Sequence, residues 1–312
     1  MELRVLFCGT PEFALPSLQA LIAAPDVSVE AVITQPDRPR GRGQEIATSP
    51  VKELALSFGI HVFQPEKIKS DSARDFIAEM APDAVVIIAY GQIIPASLLE
   101  VPRLGWINLH ASLLPRYRGA APIQWAIISG EIRTGVTTMR IDVGLDTGPT
   151  LDSAKLDIGP DETAPELSKR LAAAGGALVV DTLRKYDRGE IEPQPQDNSL
   201  ATYARPLKKE DGRIDWNLTA QAIYNRIRGL DPWPGAYTTF RGQFCQIWGR
   251  PAGQEHAEPA GSIVASAGTP SVACGRGSSL ELDSVRLEGR KRISARDFVN
   301  GARVKPGEKF GI

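Results

Sequence analysis

Three polar residues have types and spacing that could perform chemistry: Asn108 and His110 in one apolar run, and Asp146 in a glycine-rich stretch. Alternate side chains of a strand share a face, so Asn108 and His110 point the same way. An amide and an imidazolium can hold a developing oxyanion, and a carboxylate can keep the histidine charged or accept a proton. The spacing leaves other interpretations open: a hydrogen-bonded core histidine, an asparagine in a turn, and an aspartate in a surface turn.

The elements that must position these residues are strands alternating with helices. We expect strands at 3–8, 27–34, 84–89, 105–110, 137–141 and 150–156, and helices after the first strand and at 49–58, 121–129 and 164–185. Continuous valine and isoleucine strands separated by helices predict a Rossmann-like α/β domain with a parallel sheet. Ligands of such sheets bind outside the carboxyl ends of the strands, near which Asn108 and His110 fall.

The last third of the chain has a different composition. Three prolines, Pro193, Pro195 and Pro206, lie in a polar stretch, beyond which we expect a helix at 219–230 and several short strands that form a small β-barrel. The predicted organisation is a catalytic domain at 1–188, a linker at 189–209 and a second domain at 210–312. Residues 1–204 carry a net charge of −7 and residues 205–312 a net charge of +6.

Several classes of site are absent from the sequence. The single glycine turn at Gly9 lacks the further glycines of a dinucleotide site, and phosphate-loop, zinc-helix and nucleophile-elbow motifs do not occur. The three cysteines are far apart, which argues against a disulfide framework or a cysteine metal site. The same cysteine usage fits a reducing cytoplasm, and because no run is apolar enough to cross a membrane, we expect no membrane association.

The motifs around the three polar residues resemble those of the folate-dependent formyltransferases. The resemblance rests on Asn108-x-His110-x-Ser112-Leu113-Leu114-Pro115, followed by Arg118-Gly119, and on Asp146 within residues 142–148. It extends over nearly the whole chain, and the remainder is similar to the member of that family that acts on initiator tRNA. The matching segments are residues 7–14, 34–43, 89–95, 206–216 and 225–236.

This resemblance implies a reaction. The donor is 10-formyltetrahydrofolate and the acceptor is the α-amino group of methionine on initiator methionyl-tRNA, with Asn108, His110 and Asp146 on the catalytic positions. The folate-binding segment falls on Ser112, Leu113, Leu114 and Pro115. The chemistry requires neither a metal nor a covalent intermediate, the second domain is a barrel of oligonucleotide-binding (OB) type, and we expect a monomer.

Two basic groups suit a tRNA partner. Arg38, Arg40 and Arg42 lie within five residues, and the resemblance places them in a loop that contacts the acceptor end of tRNA. Arginine forms paired hydrogen bonds with phosphate, although a solvated surface loop is the simpler interpretation of the residues alone. A second cluster in the last third of the chain could follow a phosphate backbone or be an ordinary charged surface. Its members are Arg286, Arg290, Lys291, Arg292 and Arg296.

Other functions stay open at this point. A formyltransferase acting on glycinamide ribonucleotide or on an amino sugar nucleotide shares the catalytic residues, but the basic second domain argues against the first and the arginine loop against the second. A formyltetrahydrofolate hydrolase uses water in place of the amine. A noncatalytic tRNA- or folate-binding module does not need all three polar residues.

Overall fold

The computed structural model of the chain describes residues 2–40, 45–253, 257–264, 269–305 and 307–311, without the side chains of Arg40, Glu45 and Ile46. Contacts divide the chain into two compact units. The first comprises Met1–Pro122, Arg133–Asp157 and Ser168–Arg205, and the second comprises Ile123–Ile132, Ile158–Leu167 and Pro206–Ile312. The domain boundaries predicted from composition stay a prediction.

The first 205 residues contain most of the helices and the larger sheet. The strands are β1 (Leu3–Gly9), β2 (Val27–Ile33), β3 (Arg38–Arg40), β4 (Glu45–Ala47), β5 (His61–Phe63), β6 (Ala84–Ile88), β7 (Trp106–His110), β8 (Arg118–Gly119), β9 (Arg133–Arg140), β10 (Thr150–Asp157) and β11 (Tyr203–Ala204). The helices are α1 (Leu15–Ala23), α2 (Pro50–Ser57), α3 (Asp71–Met80), α4 (Ala96–Leu99), α5 (Pro122–Ile128) and α6 (Ala164–Asp187), with 3-10 turns at Glu12–Ala14 and Asn198–Leu200.

The larger sheet has the order β10-β9-β7-β6-β1-β2-β5. The five neighbouring strands β7, β6, β1, β2 and β5 are parallel, as the valine- and isoleucine-rich runs predict. Strand β9 pairs antiparallel with β7, and β10 pairs antiparallel with β9. Every residue of β6 is buried, because helices cover both faces of the sheet. The predicted Rossmann-like fold class is confirmed, with two antiparallel strands added at one edge.

Two glycines allow helix α6 to pack closely, Gly175 against strand β7 of the sheet and Gly176 against helix α1. A Cβ at Gly175 would overlap the Leu109 side chain, and a Cβ at Gly176 would lie 2.7 Å from the Pro16 carbonyl oxygen. Glycine weakens a helix interior by about 1 kcal/mol relative to alanine, so close packing is the reason for both residues. The helix thereby supports β7 on the face opposite Asn108 and His110.

The second unit is built on a curled antiparallel sheet. The strands are β12 (Tyr237–Phe240), β13 (Gln243–Ala252), β14 (Ile263–Val264), β15 (Ser271–Ala273), β16 (Ser279–Leu287) and β17 (Ile293–Ser294), with helices α7 (Ala220–Gly229) and α8 (Ala295–Gly301) and 3-10 turns at Lys209–Gly212 and Gly275–Gly277. The order is β12-β13-β16-β15-β14, and β17 pairs with β16.

The final residues close this sheet into a barrel. Phe310 bridges Phe240 of β12, and Lys309 bridges Ser262, which directly precedes β14. The barrel core contains Trp216, Phe298 and Phe310, all at most 5% exposed. The predicted small β-barrel is therefore confirmed.

Some elements of the structure differ from those expected from the sequence. Helices α3 and α8 and strand β5 were not predicted, and the two short strands that the sequence predicts at 279–282 and 285–287 form the single long strand β16. In the described part of the chain no helix is long and apolar enough to cross a bilayer. Nor do three histidine, cysteine, aspartate or glutamate side chains converge there as metal ligands would.

Candidate active site

Strand β7 carries Asn108 and His110 on one face. Ile107 and Leu109, which alternate with them, are 0% and 3% exposed and pack into the unit. The strand runs parallel to β6 and antiparallel to β9, where His110 pairs with Thr137. Asn108 is half-buried, and its amide has no hydrogen-bond partner among the described residues. The strand thus presents an unpaired amide two residues before a buried histidine.

The position of Asp146 next to His110 depends on the antiparallel direction of β9 and on the loop that follows this strand. Because β9 is antiparallel, its last residue, Arg140, pairs with Ile107 near the start of β7. The loop at 141–149 turns back sharply, since the Asp142 carboxylate accepts hydrogen bonds from the Gly144 N–H (2.9 Å) and the Thr147 hydroxyl (2.7 Å). This turn brings Asp146 to the histidine.

The Asp146 carboxylate is held between His110 and the backbone of strand β8. Its Oδ2 lies 3.6 Å from Nδ1 of His110 and accepts a 2.8 Å hydrogen bond from the Gly119 N–H. Both side chains are largely buried, at 7% exposure for His110 and 16% for Asp146. The other carboxylate oxygen, Oδ1, has no hydrogen-bond partner among the described residues.

The His110 ring lies between oxygen atoms of two neighbours. Nε2 lies 2.9 Å from the Tyr117 carbonyl oxygen, which can only accept, so Nε2 carries a hydrogen. Nδ1 faces Oδ2 of the Asp146 carboxylate at 3.6 Å, which is longer than a hydrogen bond but close enough for the negative charge to attract an imidazolium. The arrangement can therefore hold a proton and a positive charge beside the Asn108 amide.

The predicted folate segment follows β7 directly and is tied to β9. The Thr137 hydroxyl donates to the Ser112 carbonyl (2.7 Å) and accepts from the Leu114 N–H (3.2 Å). Ser112 is fully buried and its own hydroxyl donates to the Arg116 carbonyl at 2.6 Å. The Ser112 side chain therefore shapes the turn, while Leu113, Leu114 and Pro115 remain half-buried.

Exposed apolar side chains occur in the loops next to this site, and sequence reasoning missed them. Ile93, in the loop after β6, is 90% exposed; Val143 and Leu145, in the Asp146 loop, are 80% and 63% exposed. Exposed aliphatic groups beside a polar site can form the apolar part of a surface that an organic ligand covers. The signal in the sequence was the apolar residue type within loops rich in glycine.

Tyr117, Arg118 and Gly119 were also missed as site residues, although Arg118-Gly119 belongs to the resembling motif. Their backbone contacts both His110 and Asp146. Gly119 has a φ of 114°, and a Cβ there would lie 2.7 Å from the Ala204 carbonyl oxygen. Only glycine permits this close approach of β8 to β11.

The arginines predicted to contact tRNA are only partly described. Arg38 lies in a hairpin of β3 and β4, is 67% exposed, and forms a 3.1 Å ion pair with Glu66. Next to it, Asp37 accepts hydrogen bonds from Lys52 and Gln64, and the bond from Lys52 lowers the pKa of the Asp37 carboxyl. The Arg40 side chain and all of Arg42 lie outside the described residues.

A cysteine nucleophile finds no support. All three cysteines are free and buried. Burial raises the pKa of each thiol, to about 12 for Cys245 and Cys274. A thiol that stays protonated is a poor nucleophile, which leaves the polar site at β7 as the candidate centre.

The sequence matches the formyl transferase family over residues 1–183, and the formyl transferase C-terminal domain over residues 206–303. The chain belongs to the formyl transferase family. It is 53% identical over 310 residues to the methionyl-tRNA formyltransferase of Solibacter usitatus (strain Ellin6076), covering 99% of each chain. It is 48% identical over 309 residues to the methionyl-tRNA formyltransferase of Geobacter metallireducens (strain ATCC 53774 / DSM 7210 / GS-15), again covering 99% of each.

Solved structures share the fold at low sequence identity. The sugar 3N-formyl transferase WlaRD, solved with dTDP and 5-N-formyl-THF, superposes with a TM-score of 0.67 at 18% identity, covering 93% of this chain and 100% of that one. HypX from Aquifex aeolicus, in complex with tetrahydrofolic acid, gives a TM-score of 0.59 at 16% identity, covering 96% of this chain and 47% of that one. These likenesses support the fold alone.

Proposed function

We propose that the chain transfers the formyl group of 10-formyltetrahydrofolate to the α-amino group of methionine on initiator methionyl-tRNA. The observation that carries the proposal is the buried His110–Asp146 pair beside the unpaired Asn108 amide. Relatives that bear the name methionyl-tRNA formyltransferase match it over both units. The reaction forms one carbon–nitrogen bond and breaks another, and it moves one proton from the attacking amine to the departing nitrogen.

Asn108 and His110 supply the hydrogen-bond donors for this step. When the amine attacks the formyl carbon, negative charge develops on the formyl oxygen, and preformed donors stabilise it. The Asn108 amide has no competing partner among the described residues. The 3.6 Å separation between Nδ1 of His110 and Asp146 is longer than a hydrogen bond, so that N–H is available to the substrate oxygen.

Asp146 balances the charge and takes the proton. Its Oδ2 is held by the Gly119 N–H and faces the imidazolium, which stabilises the charged ring. Its Oδ1 has no partner among the described residues and can accept the proton that the amine loses, directly or through water. The proton is then delivered to the departing nitrogen of the folate.

The loops around β7 fit a folate. The Ser112–Pro115 turn lies directly after His110, and Gly135 on β9 leaves room for the Leu113 side chain. The exposed Ile93, Val143 and Leu145 are suited to cover an aromatic ring system. Bound there, the folate supplies an activated formyl group to the donors described above.

The acceptor tRNA would contact basic surfaces of the chain. We assign one contact to the hairpin with Arg38, Arg40 and Arg42, and a second to the basic cluster of the barrel. All members of that cluster are exposed, and among described residues none forms an ion pair, so no carboxylate neutralises the positive charges that would meet phosphates. They are Arg286, Arg290, Lys291, Arg292 and Arg296.

The barrel also has a cleft beside this cluster. The cleft has a volume of about 570 Å³ and is lined by Arg241, Arg290, Lys291 and Ile293, among others. On the sheet nearby, the Arg292 guanidinium lies 4.0 Å from the centroid of the Trp248 ring.

The proposed enzyme acts in the cytoplasm, because its tRNA substrate belongs to translation. It acts as a monomer, because one chain supplies every side chain of the candidate active site.

The test is transfer of labelled formyl from 10-formyltetrahydrofolate to methionine-charged initiator tRNA. Parallel reactions contain glycinamide ribonucleotide, an amino sugar nucleotide, or no acceptor. We expect formylated methionyl-tRNA and its near-complete loss in His110→Ala. Formyl loss without an acceptor would indicate a hydrolase, transfer to a small acceptor would indicate another formyltransferase, and no turnover would leave a binding protein.

A further inference from the structure

Residues 194–204 run along the candidate site although their composition is that of a linker. Tyr203 and Ala204 pair in parallel with Arg118 and Gly119. At the other end, Gln194 and Thr150 exchange two backbone hydrogen bonds of 2.8 Å. The segment therefore contacts β8, whose Gly119 N–H binds the Asp146 carboxylate, and the start of β10, which follows the Asp146 loop.

The side chain of Gln196 joins that loop to strand β8. Its Nε2 donates to the carbonyl oxygens of Asp146 (2.9 Å) and Gly148 (2.7 Å). Its Oε1 accepts from Nε (3.1 Å) and Nη2 (2.8 Å) of Arg118. Both ends of one amide are thus engaged, and each end holds a segment that contacts the His110–Asp146 pair.

Arg118 is an unusual residue to find at the other end of this link. It is 2% exposed, and its guanidinium contacts the neutral oxygens of Gln196 and Asn198 (2.9 Å), with no carboxylate within ion-pair distance among described residues. Burial of a charge without a counter-charge is unfavourable. The residue lies between Tyr117, whose carbonyl meets His110, and Gly119, whose N–H meets Asp146.

The Asp146 loop needs such a restraint because of its backbone. Asp146 has a φ of 52°, in the left-handed region that residues with a Cβ rarely adopt. The surrounding structure must hold a residue in that conformation. Gln196 does so by binding the carbonyl of Asp146 itself and that of Gly148 two residues on.

We propose that Gln196 and Arg118 are positioning residues for formyl transfer, which fix the Asp146 loop so that its carboxylate faces His110. The segment that continues from α6 toward the barrel is then part of the active-site framework. The expected effect on catalysis rests on the proposed function. The expected effect on the position of the Asp146 carboxylate does not, and it can be measured without any substrate.

The test uses Gln196→Glu, which separates stability from positioning. A glutamate can pair with the buried Arg118 guanidinium, so the thermal midpoint should stay near the wild-type value. It loses both donors to the loop carbonyls, so kcat should fall by about tenfold or more, with the KM values for folate and charged tRNA within about twofold. If Gln196 only stabilised the fold, a variant with an unchanged thermal midpoint would also have an unchanged kcat.

The matched control is Gln194→Glu, the same substitution two residues earlier. The Gln194 side chain is exposed; among the described residues it donates to the Glu192 carbonyl alone, at 3.2 Å, and it takes no part in the backbone pairing with Thr150. Its kcat should equal that of the wild type. A second variant, Gln196→Met, removes all four hydrogen bonds at similar volume and should lower kcat to the same degree together with the thermal midpoint.

Nuclear magnetic resonance of the Gly119 amide reports the position of the carboxylate directly. In the wild type this N–H is bonded to Asp146 Oδ2. In both Gln196 variants we expect an upfield amide proton and hydrogen exchange about tenfold faster or more, with no change in Gln194→Glu. Unchanged Gly119 signals, or an unchanged kcat in a folded Gln196→Glu protein, would overturn the inference. A wild type that does not formylate methionyl-tRNA would overturn the proposed function instead, and the Gly119 signals would still decide this inference.

Discussion

At the scale of single residues, His110 lies between the Tyr117 carbonyl oxygen, 2.9 Å from Nε2, and the Asp146 carboxylate, 3.6 Å from Nδ1. Asp146→Asn keeps an oxygen for the Gly119 N–H but removes the negative charge. We expect kcat of formylation to fall by roughly a hundred- to ten-thousandfold, with an unchanged thermal midpoint. Steady-state kinetics and thermal denaturation would check this. A kcat within fivefold of the wild type would exclude the assigned role.

At the scale of elements, the contact between α6 and β7 depends on a glycine. In an exposed helix, a change from glycine to alanine stabilises by about 1 kcal/mol. In Gly175→Ala the new methyl overlaps Leu109, so we expect net destabilisation, because overpacking a core costs about 1–3 kcal/mol. Denaturant unfolding would measure it. Adding Leu109→Val should recover part of the loss, and a Gly175→Ala protein more stable than wild type would contradict the packing argument.

The ion pair between Arg241 and Glu308, near the residues that close the barrel, makes the stability of the protein depend on pH. Glu308 accepts two hydrogen bonds from Arg241, of 2.8 and 2.9 Å, which lower the pKa of its carboxyl from 4.5 to about 2. A lowered folded-state pKa contributes stability above pH 4.5 that is lost as the pH falls toward 2. The thermal midpoint of the wild type should therefore exceed that of Glu308→Gln at neutral pH, and the two should converge near pH 2. Glu258→Gln, at an exposed position, should show no such convergence, and a constant difference at Glu308 would refute the account.

At the scale of the whole molecule, charge separates the two parts of the chain, with a net charge of −7 over residues 1–204 and of +6 over residues 205–312. If the basic cluster meets tRNA, Arg290→Glu with Lys291→Glu should raise KM for charged tRNA and flatten its dependence on salt, and leave kcat unchanged. The control Lys169→Glu with Arg276→Glu changes the net charge equally at exposed positions outside the cluster. Titration of tRNA at several salt concentrations compares the cluster variant with the control variant. An equal effect in both variants would indicate that tRNA responds to the net charge of the whole protein and does not contact the cluster.

Much of the molecule follows from local pattern. Strands β1, β2 and β6 are mainly apolar runs, and helix α2 begins with a serine cap, Ser49, that accepts a hydrogen bond from the Lys52 N–H. Strand alternation placed Asn108 and His110 on one face, and the short alternating runs indicated the barrel. The charged helices α3 and α8 were not predicted, although Ser70 and Ser294 cap them in the same way.

The sequence by itself determined the fold class, the strand that carries Asn108 and His110, and the family resemblance, because each depends on residue type at short spacing. Only the tertiary structure decided how Asp146 reaches His110, since this depends on the antiparallel direction of β9 and on a turned loop. Only the tertiary structure, likewise, placed Gln196 against that loop. The contacts of Gln196 join residues 48 to 78 positions apart, and a local pattern carries no information about pairs so distant in the chain.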